Sequence, residues 1–256
     1  MNRTDSDWEN YGKNDPYFGV FTETRFRKEN LDANALHAFF ESGEAQIERV
    51  FSTMEREWGP LGDLQTGIDF GCGVGRVLLP LQKRIVNMIG VDVSASMLRE
   101  AQRNIDSQGI TRIRLVERIE DLADIVEVDF VHSFVVLQHI PEACGQEIIS
   151  DLVGLLRKGG IGVLHVLYFN PYLAQTIPAA VRNWYSASNI YVRSIFGKLL
   201  QRGLKGPEKA LPAMQMNPYD LNKIFLQLQR NNVQEIICEL TDYGGFLGTL
   251  LYFRKS

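Results

Sequence analysis

Cysteine is scarce. Only Cys72, Cys144 and Cys238 occur in 256 residues, and their odd number and spacing match neither a disulfide framework nor a thiolate metal site. Reduced, mostly buried thiols of a cytosolic, cytoplasmic protein are the expectation that remains. Long apolar runs are missing too: no stretch reaches the roughly 18 residues of a membrane-spanning helix, and the start of the chain lacks an export-signal pattern. Net charge is small, 27 Lys and Arg against 31 Asp and Glu for −4, so the whole-chain balance gives no reason to expect nucleic acid as a partner. Internal repeats and low-complexity tracts are also absent, which excludes solenoids. The length suits one large domain, or one domain with an elaborated cap, and allows a sizeable core.

The informative stretch is Ile68-Asp69-Phe70-Gly71-Cys72-Gly73-Val74-Gly75-Arg76, followed by Gly90-Val91-Asp92-Val93. It reads as a strand, a glycine-rich turn, a helix and a second strand ending in an acid, the layout of a nucleotide-binding βαβ unit. Alternate glycines allow a sharp turn and close approach to a ligand, because no Cβ intervenes. Exposed amides at the start of the next helix are expected to favour polar or anionic ligand groups. Asp92 is placed to accept hydrogen bonds from both hydroxyls of a ribose, so an adenosine derivative is the expected ligand. A nicotinamide or flavin site wants G-x-G-x-x-G/A, but Arg76 stands where the last small residue belongs. Asp69 would repel a pyrophosphate. A ligand with an ammonium group and no phosphates fits better.

On these residues the chain resembles the class I S-adenosylmethionine-dependent methyltransferases, whose first motif is an acid followed by G-x-G-x-G. The resemblance implies an α/β fold: a three-layer, doubly wound, Rossmann-like sheet of seven mostly parallel strands with the last strand antiparallel. It spans most of residues 65–256, with 1–64 as an N-terminal arm and helical cap and 171–213 as a lid insertion. S-adenosyl-L-methionine is the implied cofactor, held by Asp69, Gly71, Cys72, Gly73, Gly75, Arg76, Asp92 and Val93. Met97 either touches the adenine or fills the core. Near the third strand, Ile113–Val116, the family's Gly-Asp-Ala is replaced by Arg118-Ile119-Glu120-Asp121. Either Glu120 takes the acid's place or the backbone of Ile119 acts alone. Asp129 to Pro141 resembles the family's fourth strand and following turn, which places Ser133 and His139 beside the transferred methyl. His139 is the candidate general base, since imidazole titrates near neutrality. Its alternative is to orient a helix or pack on the cofactor. His132 is expected to be structural, and His165 buried and silent.

Elsewhere the punctuation is local. Residues 1–20, with Trp8, Tyr11 and Asp15-Pro16-Tyr17-Phe18-Gly19-Val20, read as an ordered aromatic loop that packs the arm or folds over the site. Residues 34–58 carry a helical stripe ended near Gly59-Pro60. Arg157-Lys158-Gly159-Gly160 reads as the basic last turn and glycine stop of a helix beginning near Glu147. Asn217 and Pro218 read as cap and first residue of the last helix. Asn170-Pro171-Tyr172 lacks the second proline of a base-flipping motif, and it follows the fifth strand rather than the fourth. A strand-ending turn is the simpler reading.

The insertion is basic and aromatic, which suits an anionic acceptor such as a nucleotide- or lipid-linked sugar, or contact of 179–205 with a membrane surface. A lid or oligomer contact is the plainer alternative. The expected reaction is O-methylation of a small molecule or sugar/glycan precursor, with N-methylation as runner-up. No metal-ligand cluster stands out. A catalytically idle adenosine-binding module and a nicotinamide dehydrogenase stay open, since fold alone does not choose between them.

Overall fold

A computed structural model describes residues 3–174, 212 and 214–256. The expected lid, 171–213, and its proposed membrane-facing stretch, 179–205, fall almost wholly outside the described residues. Among the described residues, no helix is long and apolar enough to cross a membrane.

Seven strands form one sheet: β1 (Leu64–Phe70), β2 (Ile85–Val91), β3 (Ile113–Val116), β4 (Val128–Ser133), β5 (Leu156–Phe169), β6 (Val233–Tyr243) and β7 (Phe246–Lys255). Their order is β3-β2-β1-β4-β5-β7-β6. The first five run parallel, and β7 inserts antiparallel between β5 and β6, as the resemblance implied. The order reverses between β1 and β4, and the crevice beyond the carboxyl ends of those strands is where such sheets take ligands. β5 is buried on both faces along most of its length, which explains its nearly unbroken apolar run.

Helices cover both faces. On one side α3 (Ala33–Trp58) buries Ile47, Val50, Phe51 and Met54 against the sheet; Asp32 caps its start and Gly59, at φ 72°, ends it. On the other, α6 (Glu142–Leu155) and α8 (Leu221–Arg230) bury Ile149, Leu152, Ile224 and Leu228. Asp129 joins three strands: its carboxylate accepts from the Gln65 and Thr66 amides, each at 2.8 Å, and from Arg157 Nε at 2.5 Å. Short helices α4 (Leu78–Gln82) and α7 (Pro171–Ala174) follow β1 and β5, and α5 (Ala95–Ser107) follows β2.

Three local expectations are corrected. Residues 157–160 do not close α6; the strand begins at Leu156, which pairs with Val128, and the irregularity lies in the register shift that follows. The last helix is capped by Asp220, whose side chain accepts from the Asn222 amide at 3.0 Å, and not by Asn217. Asn217 instead bonds back to the Gln138 carbonyl through its amide, 2.7 Å.

The largest correction is the N-terminus, which is helical: α1 (Arg3–Asn14) and α2 (Pro16–Val20). The reason is tertiary, because a short polar helix is marginal alone and packing decides it. Gly12 sits so close to α5 that a Cβ there would lie 2.6 Å from Ser94 Oγ. Tyr11 and Tyr17 join Phe39, Val74 and Met97 in one cluster. Glu9 reaches across to accept from Ser94 Oγ at 2.8 Å, the Ser96 amide at 3.0 Å and Ser96 Oγ at 2.7 Å. Burial works to raise its pKa, but the Ser96 amide, the Ser96 and Ser94 hydroxyls and Lys13 outweigh it and hold the carboxyl at about 2. Glu9→Ala is therefore expected to cost about 1–3 kcal/mol, read from the urea midpoint. A depressed carboxyl pKa stabilises above the unfolded value of 4.5 and loses that contribution as pH falls towards 2. The gap between wild type and variant should close over that window.

Candidate functional site

A cavity of about 810 Å³ opens over the carboxyl ends of β1, β2 and β4. Its floor is the glycine turn. Gly71 sits at φ +75°, and a Cβ there would lie 2.3 Å from Val136 Cγ2; Gly73 sits at φ +54°, with Val20 of α2 directly over it. Both positions need glycine for conformation and for space. The turn amides are occupied within the fold, however. Gly71 and Cys72 donate to the Val91 carbonyl, and Gly73 donates to Asp92 Oδ2 at 2.8 Å. The following helix has only five residues, and the turn before it is tied to β2.

Asp92 lines the cavity with one oxygen on the Gly73 amide and the other on the Ser94 amide at 2.9 Å. Each oxygen keeps a lone pair for a ligand. Burial pushes its pKa up to about 6, against the pull of those two amides. Ser94 caps α5 through the Met97 amide, 3.1 Å. Met97 is buried and also borders the cavity. Val93, Ile119, Glu120 and Glu117 complete this end, and both alternatives for the adenine edge lie in the wall.

Of the residues expected at the cofactor, Gly71, Cys72, Gly73, Arg76, Asp92, Val93, Met97, Ile119 and Glu120 line the cavity, while Asp69, Gly75 and Ser133 do not. Asp69, expected at an amino-acid tail, is instead buried beneath the turn, 1% exposed, and its Oδ1 meets His132 Nδ1 at 2.8 Å. The two face each other because β1 and β4 pair Asp69 with His132 in register. Ser133 is buried with its Oγ lacking a partner, and Gly75 shapes the turn from behind, at φ +92°. Burial, then the charges of Asp92 and Asp69, push the Cys72 thiol well up, so it stays neutral.

The other end of the cavity is aromatic and apolar, with Trp8, Phe21, Phe134, Ile140, Met214 and Phe246. His139 lies here, buried, and Trp8 meets its ring edge-on at 5.0 Å. Its Nδ1 lies 2.7 Å from the Gln215 carbonyl, which can only accept, so that nitrogen carries the proton. Burial lowers its pKa to about 4 despite the carbonyls of Gln215 and Val135, and the ring is neutral at pH 7.

Sequence reasoning missed several parts of this wall. Val135 holds φ 61°, strained for a β-branched residue by about 1–3 kcal/mol, and it borders the cavity. Thr4 and Asp5 of α1 also line it, beside Trp8, one of the aromatic residues expected to pack the arm or fold over the site. Neither feature leaves a signal in composition or period.

Residues 68–160 match a family model described as a methyltransferase domain. Among curated relatives, an uncharacterized RNA methyltransferase of Thermosynechococcus vestitus is 34% identical over 79 residues, 30% of this chain and 17% of that protein. A ubiquinone biosynthesis O-methyltransferase of Methylococcus capsulatus is 26% identical over 139 residues, 45% of this chain and 58% of that protein. The chain thus spans less than two thirds of the length of either. Among solved structures, magnesium protoporphyrin IX methyltransferase of Synechocystis PCC 6803, with bound SAM, superposes at TM-score 0.59 and 18% identity, covering 100% of this chain and 99% of that one. The N-methyltransferase NodS of Bradyrhizobium japonicum WM9, in complex with S-adenosyl-l-homocysteine, superposes at 0.58 and 13% identity, covering 99% of each chain. These likenesses are of fold.

Proposed function

With a methyltransferase domain of the class I, S-adenosylmethionine-dependent kind across residues 68–160 as the premise, we propose that this enzyme methylates an oxygen of a small molecule or sugar/glycan precursor. The donor is S-adenosyl-L-methionine. The chain's own residues suit it: the Asp92 carboxylate faces the cavity with acceptor capacity to spare, and a Cβ at Gly71 or Gly73 would fill the space beside it. When bound, the donor supplies an activated methyl on a sulfonium, and the protein's work is to align an acceptor behind it and exclude water.

One observation carries the small-molecule reading. A single cavity runs from Asp92 to His139 and Phe246, with an apolar wall at the far end, and it has room for donor and a compact acceptor end to end. Phosphate-rich polymers are matched by basic surfaces. The acids at the near end, Glu117, Glu120 and Asp151, supply the opposite charge.

His139 is assigned the proton of the attacking hydroxyl. Its Nδ1 is tied to Gln215, which fixes the tautomer and leaves Nε2 as the basic atom. His139→Gln is expected to lower kcat about 100-fold with the donor's affinity unchanged. Transfer of radiolabelled methyl to a panel of phenols, hydroxy acids, sugars and amines checks this. Full turnover with an unchanged pH profile would remove the base role. The low pKa of His139, about 4, favours N-methylation as the second reading, because a neutral amine attacks without a base. The same panel separates the two by which acceptors are labelled.

A further inference from the structure

The tripeptide Asn-Pro-Tyr occurs twice, at 170–172 and 217–219, once before and once after the basic, aromatic stretch of the sequence. Each asparagine reads locally as a turn or cap residue, yet both side chains are engaged near His139. Asn170 Oδ1 accepts from the Tyr172 amide at 3.0 Å, which turns its Nδ2 towards the Met216 carbonyl, 2.8 Å away. Asn217 donates twice to the Gln138 carbonyl, from its backbone N–H at 2.7 Å and from Nδ2 at 3.1 Å. The buried Tyr219 hydroxyl lies 2.8 Å from the Leu137 carbonyl and 3.0 Å from that of Ile140, and its one proton serves both.

These bonds tie the segment 214–219 onto the turn Leu137–His139. That turn is awkward to hold: Val135, two residues before it, keeps φ 61°, and strain of this kind persists only where the surroundings fix it. From one side Val136 fills the space over Gly71; from the other come the three side chains. α6 makes room for one of them, since a Cβ at Gly145 would collide with the Tyr219 hydroxyl. The same segment supplies the Gln215 carbonyl that accepts from His139 Nδ1, and the other carbonyl acting on the ring, that of Val135, leads into the turn. Which imidazole nitrogen is protonated follows from such bonds, so the side chains that fix one segment against the other also fix the ring. Asn170, Asn217 and Tyr219 stand outside the cavity wall, whereas Met214, Met216, Gln138 and His139 are in it.

We propose that Asn170, Asn217 and Tyr219 are positioning residues, which hold the His139 ring with its proton on Nδ1 and its Nε2 bare. Each acts through a carbonyl of one segment or the other and not through contact with a ligand. What His139 does with the bare nitrogen rests on the methyl-transfer reading above; how the ring is held does not.

The test is NMR of the imidazole nitrogens in the whole protein, with the His139 signals assigned by their loss in His139→Gln. Wild type is compared with Tyr219→Phe, which deletes only the hydroxyl, and with Asn170→Asp, which keeps the acceptor and deletes the donor. In the wild type Nδ1 of His139 carries the proton; in both variants the proton is shared between Nδ1 and Nε2, while His37, His132 and His165 keep their wild-type signals. S-adenosylhomocysteine affinity, by calorimetry, stays within about twofold. Turnover on whichever phenol, hydroxy acid or sugar of the panel is labelled falls about 10-fold with its KM within about twofold, because a misplaced base costs rate and not binding. Asn217→Ala gives a smaller fall, since its backbone bond remains. The proposal is overturned if the wild-type proton sits on Nε2, or if His139 keeps its wild-type signals in a variant that binds S-adenosylhomocysteine normally. It is overturned as well if the other histidines shift together with His139, as a general loosening of the fold would cause. Should one variant fail to fold, the other decides by the same signals. Full turnover of His139→Gln would remove the base reading instead, and the nitrogen signals would still decide how the ring is held.

Discussion

Gly71→Ala is expected to weaken S-adenosylhomocysteine at least about 100-fold while also lowering stability by about 2–4 kcal/mol. Two effects add at this position. The backbone holds φ +75°, which an L side chain rarely adopts, and the new methyl would sit 2.3–2.9 Å from three atoms of Val136. Val136 must then move, and it carries the strained Val135 and the His139 turn with it. A double variant separates the terms. Adding Val136→Ala should restore part of the stability, because the steric partner is gone, but not the affinity, because the methyl still occupies the cavity floor. Chemical denaturation and calorimetry on the four proteins of the cycle check this.

Asp92→Ala is the second large effect, with S-adenosylhomocysteine weakened about 100-fold or more. Each hydrogen bond from a ribose hydroxyl to an ionised acceptor contributes about 1.5–3 kcal/mol, and two are lost. The variant also releases the Gly73 and Ser94 amides, so the turn loosens along with the ligand contact. The charge itself can be isolated by pH. Burial has raised the Asp92 pKa to about 6, so the free protein holds a neutral carboxyl below that pH and a carboxylate above it. Only the carboxylate accepts both hydroxyls without donating a proton of its own. Affinity should therefore fall as pH drops, by about tenfold between pH 8 and pH 5. Asp92→Asn should be weaker throughout and nearly flat across the same range.

What could be read from the sequence, and what could not, divides along one physical line. The seven-stranded sheet follows from the resemblance, and α3 from its helical period and the stop at Gly59. Asp92 was legible because an acid ending the second strand is placed by two elements next to each other in the chain. Asp69 was not, since its partner is fixed by the register of β1 on β4, and a register is set by pairing across 63 residues. The N-terminal helices were hidden for the same reason. Glu9 finds its hydrogen bonds on Ser94 and Ser96, 85 and 87 residues away, and nothing within residues 1–20 announces them. Local signals also misled where tertiary pairing overrode them. Arg157 to Gly160 carries the chemistry of a helix stop, yet Arg157 is drawn to Asp129 and Leu156 already pairs with Val128. Arg76 was visible as a departure from a dinucleotide fingerprint. Its seat between Phe21 and Phe134, with Ser42 on Nη1, became visible only with the fold in place.

The most direct test of the central claim is a calorimetric titration of the whole protein with S-adenosylhomocysteine, with NADH titrated in parallel. The account predicts one site per chain, an affinity from about micromolar to tens of micromolar, loss of that site in Asp92→Ala, and no heat from NADH. No binding of S-adenosylhomocysteine at 1 mM or above (about the weakest affinity enzymes of this kind work with), or saturable binding of NADH in its place, would contradict it.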